Sequence, residues 1–251
     1  MFMRYTLKHT YIMKKAFTIL AVLFITLSSF GIVFNDQIIN DPNITVRSIS
    51  TQFNTLNVSG AVDVYLTKDK NVNMAVSASQ PEYINNIITK VENSTLYITT
   101  KSGSIVKNPK YKVYLSVTQL DKISASGASD IYLKGTFKQS DLEMIFSGAS
   151  DISGEVKADN LKLTGSGSSD FSLTGYAENI KINVRGASDI KSYNLSTKNA
   201  NINASGASDV KITVHGEANV IASGASDVKI KGTANIANAT STGASTIKKV
   251  N

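Results

Sequence analysis

Hydrophobic and polar residues alternate along most of the chain after residue 120, and a glycine interrupts the alternation at a nearly constant interval. Around Gly186, for example, the residues four before and four after are Ile182 and Ile190, whereas odd offsets are mostly Lys, Asn, Asp, Thr and Ser. A period of two predicts β-strands with one buried face. The spacings are 21, 19, 19, 20, 18 and 19 residues, and the glycines are Gly127, Gly148, Gly167, Gly186, Gly206, Gly224 and Gly243.

A six-residue unit around this glycine recurs almost unchanged. It reads SGASDI at Ser126–Ile131 and SGASDV at both Ser205–Val210 and Ser223–Val228. An alternating stretch from six residues before the glycine to six after it would be roughly 40 Å long as one strand, too long for one side of a small coil. The glycine therefore predicts a bend, where the missing side chain lets backbone layers approach closely.

If the alternation continues through the bend, the glycine and the serine two residues after it both face the interior. Buried hydroxyl groups need hydrogen-bond partners. We therefore expect these serines to form hydrogen bonds up and down a stack of coils. They are Ser129, Ser150, Ser169, Ser188, Ser208 and Ser226.

Repetition of nearly identical units predicts an all-β fold, a parallel β-helix or β-solenoid with coils of about 19 residues. No single coil can bury its own apolar face, so the coils must stack on one another. We assign the SGASD coils to residues 121–251. By analogy with other β-helices we expect a right-handed solenoid.

Residues 47–120 are predicted to form an N-terminal β-rich region that caps the solenoid. The stretch Ser59–Val64 is a degenerate copy of the repeat, with Val62 in place of the serine. The 67 residues between Gly60 and Gly127 have roughly the length of three coils with insertions. Residues 83–88 are predicted to be a strand, with one short helix over residues 81–90 as the alternative.

The first residues have the composition of a secretory signal peptide. Lys14 and Lys15 precede the apolar run Ala16–Leu27, and the small residues Ser28 and Ser29 follow it. We predict a signal peptide over residues 1–31, with Met13 as an alternative start, and a linker over 32–46. Export would place the protein in the periplasm, on the outer surface or outside the cell. The alternative is a leader retained as a membrane anchor, because the apolar stretch approaches spanning length.

Charge and cysteine content exclude several classes of function. The net charge is +7, but the leader holds four of the 26 basic residues and none of the 19 acidic ones, so the remainder is nearly balanced. Nothing resembles the basic patch that nucleic-acid binding requires. The chain has no cysteine, which excludes disulfides, cysteine-ligated metals and a thiol nucleophile.

An aspartate stands three residues after six of the seven repeat glycines, at an outward-facing offset. Stacked like charges about 4.8 Å apart repel by roughly 1 kcal/mol per pair in water. We expect the carboxylates to accept hydrogen bonds from turn backbone and to pair with a lysine two residues later; calcium binding is the alternative. We expect no metal ion or cofactor. The aspartates are Asp130, Asp151, Asp170, Asp189, Asp209 and Asp227.

Several motifs together resemble the putative auto-transporter adhesin head GIN domain family, found in Bacteroidetes-type bacteria. They are a secretory leader, NTLNVSGAVDVYLTK, NSTLYITTKSG, YKVYLSVTQLDKISASGASDI and then serial SGASD coils. The resemblance extends over residues 51–250. It implies an exported, β-helical protein suspected of adhesion, with no catalytic residues to carry over.

The favoured function is a non-catalytic binding module that presents a repeated polar face to a glycan or a surface protein. The alternative is a structural envelope scaffold or spacer. A polysaccharide-active enzyme is disfavoured because its acids would form a non-repeating cluster, and because His215, the one histidine outside the leader, is predicted to be a solvated turn residue. The candidate ligand face consists of Asp189, Lys191, Asp209, Lys211, Asp227 and Lys229.

Overall fold

The computed structural model describes residues 32–34, 37–39, 41, 43–101 and 109–250. The predicted signal peptide lies outside the described residues. Strands make up 65% of the chain and helix 3%, and about seven turns of roughly 19 residues form a β-solenoid. The predicted all-β solenoid is therefore confirmed.

The N-terminal part contains nine strands and one 3₁₀ helix, Pro81–Asn86. Thus the segment 81–90, predicted to contain a strand or to form one short helix, is divided between the two. Residues 32–46, predicted as a linker, include two strands and the start of a third. The strands are β1 Ile32–Phe34, β2 Gln37–Ile39, β3 Thr45–Arg47, β4 Thr55–Val58, β5 Asp63–Lys68, β6 Asn73–Ala78, β7 Ile87–Glu92, β8 Thr95–Thr100 and β9 Tyr111–Val117.

The coils that follow are parallel and in register. Longer strands run around a corner of the coil without interruption, because the backbone pairing continues there. The strands are β10 Lys122–Ala125, β11 Ile131–Phe146, β12 Ile152–Gly165, β13 Asp170–Val184, β14 Asp189–Ala204, β15 Asp209–Val214, β16 Glu217–Ala222, β17 Asp227–Lys231, β18 Asn235–Ser241 and β19 Thr246–Lys249.

The core consists of inward columns in which each apolar side chain lies against its equivalent in the next coil. Ile152 is opposite Phe171 and Leu163 is opposite Ile182, and all four side chains are buried. These are the positions four residues before and after the glycines, as the alternation predicts. Because neighbouring coils share one continuous core, the packing of each coil depends on the coil beside it.

The prediction that the repeat glycines face inward is wrong. They are exposed at a corner, where Gly167 adopts a φ of +77° and so interrupts the alternation. A Cβ atom on Gly167 would lie 2.6 Å from the carbonyl oxygen of Gly148 in the preceding coil. Two constraints therefore require glycine: a left-handed backbone conformation and the close approach of the neighbouring backbone.

The buried serine column is confirmed. The amide of Ser169 donates to Ser188 Oγ at 3.3 Å, and that of Ser208 donates to Ser226 Oγ at 3.4 Å. The hydroxyls of Ser169 and Ser208 each donate to a backbone carbonyl three residues earlier, both at 3.0 Å. The serines thus link successive coils inside the corner without leaving a buried hydroxyl unpaired.

The N-terminal coils are threaded out of sequence order. Strand β4 lies between β8 and β10, and β5 lies between β9 and β11, all parallel. Gly127 therefore contacts Gly60 directly, and the expectation of three coils between them is wrong. The intervening residues instead form the first coil and the antiparallel strands β6 and β7, which pair with β9 and β8 and cap the solenoid.

Lysines lie at two strand edges of the described solenoid. Residues 136–139 of β11 pair with β12 along one edge of the strand. Along the other edge, Lys68 Nζ donates to the carbonyl of Lys138 and to Gln139 Oε1. At the opposite end Lys249 is aligned with the buried Ile230 and donates to the carbonyl of Ala234 at 3.0 Å. Lysines placed in this way block pairing with a further strand.

Truncation of a core column should be costly. We expect Phe171→Ala or Ile182→Ala to lower the free energy of unfolding by about 2–5 kcal/mol, since each leaves a cavity between two coils. The exposed neighbour Lys181 supplies the control, because Lys181→Ala should change stability by no more than about 0.5 kcal/mol. Urea unfolding measures both, and equal losses would contradict the stacked core.

The corner glycine offers a second test with a matched control. Gly135 has a φ of +73° but nothing within 4 Å of its Cβ position. Gly135→Ala should therefore lower the free energy of unfolding only by the strain of a left-handed backbone, about 1–2 kcal/mol. Gly167→Ala should cost clearly more, because the methyl group also meets the Gly148 carbonyl oxygen. Similar losses in urea unfolding would show that the close approach is unimportant.

Candidate binding face

The six residues of the predicted ligand face lie together on the outside of three successive coils. They belong to two neighbouring columns on the strands that follow the glycine corners. In the aspartate column Asp209 is opposite Asp227 and Asp189 is opposite Asp170. In the second column Lys211 is opposite both Lys191 and Lys229.

Each of the three lysines is near the aspartate two residues before it. The Nζ–Oδ2 distances are 3.4 Å for Lys191–Asp189, 3.9 Å for Lys211–Asp209 and 3.5 Å for Lys229–Asp227. Lys191 also binds Asp170 of the preceding coil, and this hydrogen bond raises the pKa of Lys191. The lysines therefore offset the repulsion within the aspartate column, although single exposed pairs contribute little to stability.

The aspartates also bind backbone, as predicted. The amide of Asp170 donates to Asp151 Oδ1 at 2.9 Å, and that of Asp209 donates to Asp189 Oδ1 at 3.1 Å. A carboxylate of one coil thus binds the turn of the next. In the part of the chain that the structure describes, no group of three or more His, Asp or Glu side chains is arranged to hold a metal ion. Asp151 and Asp189 thus each have a backbone partner in the next coil.

The second column changes its chemistry along the solenoid. It begins with tyrosines, continues with serines and ends with lysines. Residues of adjacent coils are in register at nearly every step. In spatial order the column is Tyr114, Tyr65, Tyr132, Ser153, Ser172, Lys191, Lys211, Lys229 and Lys248.

The three tyrosines form a continuous stack. Ring centroids are 5.0 Å apart for Tyr65–Tyr114 and 5.1 Å for Tyr65–Tyr132, with planes inclined by 18° and 22°. Lys134 Nζ lies 5.0 Å from the Tyr65 centroid. Sequence reasoning missed this stack, because Tyr65 precedes Tyr114 and Tyr132 in the chain but lies between them in space. The shared Tyr-Leu pair in VDVYLTK, KVYLSV and SDIYLKG was the available signal.

The stack is held with its hydroxyl groups protonated. Burial, and then a 2.6 Å hydrogen bond from the hydroxyl to Asp41, raise the pKa of Tyr114 well above its usual range. Burial, followed by the charge of Asp130, raises the pKa of Tyr132 to about 12. Burial and then Asp151 likewise raise the pKa of Asp130. Because the folded tyrosines retain their protons, their contribution to stability is present below pH about 10 and is lost as the pH rises further.

A cavity of about 510 Å³ lies beside residues 138–141 of β11. Its charged lining has mixed sign: lysines Lys68, Lys138 and Lys157, and aspartates Asp121, Asp141 and Asp159. The described histidine is elsewhere.

His215 is exposed at a turn, with Nδ1 3.4 Å from Thr233 Oγ1. This position confirms its prediction as a solvated turn residue. No described arrangement joins it to a nucleophile and an orienting acid.

The architecture and the repeated corners define a β-solenoid, and comparison with known proteins gives the family. The chain belongs to the family described as "Putative auto-transporter adhesin, head GIN domain", whose model matches residues 52–234. No curated protein matches the chain. Family membership confirms the resemblance seen in the motifs and supports an adhesin-like protein, exported or at the cell surface.

Solved structures share the fold. A putative adhesin from Bacteroides fragilis is 20% identical, with a TM-score of 0.76 and coverage of 84% of this chain and 98% of its own. A putative adhesin from Parabacteroides merdae is 17% identical, with a TM-score of 0.65 and coverage of 83% and 95%. A putative lipid binding protein from Parabacteroides distasonis is 18% identical, with a TM-score of 0.63 and coverage of 84% and 98%.

The described residues contain no helix long and apolar enough to cross a membrane.

The aspartate column can be tested for calcium binding directly. If backbone hydrogen bonds and lysines satisfy the carboxylates, millimolar calcium should leave the melting temperature of the purified protein unchanged. Magnesium serves as the control for ionic strength. A rise of several degrees that disappears on addition of a chelator would instead show a calcium site, because a ligand that binds only the folded state stabilises it.

Proposed function

We propose that the mature protein is an exported, non-catalytic binding module of the adhesin type that recognises a glycan or a surface protein through its repeated polar face. The observation that carries the proposal is the alignment of Asp189, Asp209 and Asp227 with Lys191, Lys211 and Lys229 on consecutive coils. The same pair of charged groups recurs at every coil step of about 4.8 Å. Such a row suits a partner that is itself repetitive.

Binding through this face would be the sum of weak contacts. The lysine side chains are a third to nearly a half exposed, so each pair can exchange its internal contact for a ligand at little cost. One coil would contribute little affinity. Several coils that engage one linear ligand would add their contributions as a multivalent interaction.

Two observations support a non-catalytic role. The repeat aspartates form a regular column that binds backbone amides and lysines, and His215 is apart from them at an exposed turn. The family and the similar structures have adhesin or lipid-binding names. A scaffold or spacer in the envelope is the second candidate, favoured by the regularity of the coils; it predicts that the face has no ligand.

The number of altered coils should determine the loss of binding. Asp209→Ala should weaken binding slightly, whereas the triple change Lys191→Gln, Lys211→Gln and Lys229→Gln should abolish it and leave the fold intact. The matched control replaces Lys138, Lys162 and Lys181, which lie outside the two columns, with glutamine. Binding to a glycan array and to isolated envelope proteins measures the effect, and circular dichroism checks the fold.

The scaffold predicts a different outcome. If the unaltered protein retains no glycan or envelope protein at micromolar concentration, and cells without it adhere normally, the binding module is wrong. Equal losses in the face variant and in the control variant would show that overall charge, and not this face, governs binding.

A further inference from the structure

The tyrosine stack on the binding face has one closed end and one open end. Tyr114 lies opposite the buried Ala75 of β6, and its hydroxyl is bound to Asp41. The capping strand and Asp41 therefore close this end. Any surface that the stack offers to a ligand must lie at the Tyr132 end.

Beyond Tyr132 the column contains only small side chains for two coils. Tyr132 is opposite Ser153, and Ser153 is opposite Ser172. The stacked rings are separated by about one coil step, so their faces are directed along the solenoid axis. A hydroxymethyl group is too short to cover a phenol ring. In this column, therefore, no long side chain follows the face of Tyr132 that is directed towards Ser153, and Lys134 Nζ lies 5.7 Å from the ring centroid.

The next long side chain in the column is that of Lys191, three coil steps or roughly 14 Å from Tyr132. Ion pairs with Asp170 and Asp189 hold it in place. Tyr132 and Lys191 thus bound a shallow bay whose floor consists of Ser153 and Ser172. We call it the serine bay.

The aspartate column forms one side of the serine bay. Asp130 accepts a hydrogen bond from the Tyr132 hydroxyl at 3.2 Å. Asp151 is exposed and accepts the amide of Asp170 through Oδ1. The bay therefore combines one flat aromatic face with carboxylate and hydroxyl groups at its edge. A small number of polar groups beside an apolar surface is the usual composition of a small-ligand site.

We propose that the serine bay binds one pyranose ring of a neutral glycan. A pyranose has a face of C–H groups, which would pack on the Tyr132 ring, and hydroxyl groups around its rim. Those hydroxyls would donate to Asp151 and exchange hydrogen bonds with Ser153 and Ser172, with the carboxylate bond the stronger one. Tyrosine is suited to this role because its ring is apolar and rigid.

Charge selects a neutral sugar over a charged one. Asp130, Asp151 and Asp170 would repel a uronic acid or a sulfated sugar. A cationic ligand would meet Lys134, whose Nζ already lies 5.7 Å from the Tyr132 ring centroid. The assignment rests on the proposed function, because the serine bay interrupts the same face, and it specifies carbohydrate as the ligand class.

The test compares variants on an array of neutral oligosaccharides of hexoses and N-acetylhexosamines, with uronic-acid oligosaccharides beside them. Tyr132→Ala should weaken binding of a neutral glycan about tenfold or more, a loss of about 1.4 kcal/mol. Tyr132→Phe keeps the ring face and should remain within about threefold of the unaltered protein. Tyr176→Ala is the control, since Tyr176 is 38% exposed and lies on another side of the coil.

A second variant keeps the stack intact. Ser153→Lys introduces a side chain that the same column carries in later coils, and its alkyl chain would cover the Tyr132 face. It should weaken neutral-glycan binding as much as Tyr132→Ala, with an unchanged urea midpoint. Loss with both variants supports the serine bay even if Tyr132→Ala alone is unstable.

The outcomes separate the two proposals. If a neutral glycan is bound and the triple lysine variant loses it, but Tyr132→Ala and Ser153→Lys do not, the serine bay is wrong and the proposed function remains. Binding of acidic glycans or of proteins alone also overturns the serine bay and leaves the binding module. If the unaltered protein binds nothing, both proposals fail.

Discussion

The contact between glycine corners of successive coils determines the rest of this structure. In each coil the residue after the glycine donates its amide to the glycine carbonyl of the coil before, at 2.7 Å for both Ser168→Gly148 and Ala187→Gly167. The absence of a side chain permits this approach, and the positive φ turns the chain into the next side. Once the corners are superimposed, every residue is aligned with its equivalent. The buried serine column, the apolar core columns and the outer charged columns all follow from that register.

Much of this arrangement could be predicted from the sequence because it is encoded locally. Alternation with period two places Ile152, Leu163 and Phe171 inside, and near-identity of the copies requires that they stack. The same local reasoning placed Asp209 and Lys211 in neighbouring outer columns. It failed at the glycine itself, because the left-handed residue turns the chain at a corner and is exposed there, while the even positions on both sides of it stay buried.

What could not be predicted depends on contacts between distant segments. Strand β4 inserts between β8 and β10, and no local pattern states which of several similar strands will be neighbours. The tyrosine stack is a consequence of that threading, since Tyr65 meets Tyr114 and Tyr132 only after the insertion. The Asp–Lys part of the candidate face was thus accessible to sequence reasoning, whereas its aromatic part was not. The column also shows that a constant backbone can carry different side-chain chemistry along its length.

The lysines at two strand edges of the solenoid bear on its association with further strands. A stack of in-register parallel strands resembles a short segment of a fibril, and each terminal strand could template the addition of another. Lys68 donates to the carbonyl of Lys138 at one edge, and Lys249, which is aligned with Ile230, donates to the carbonyl of Ala234 at the other. A further strand that paired at either edge would have to bury a lysine ammonium group without a counterion. These lysines therefore disfavour the addition of further strands to the periodic structure.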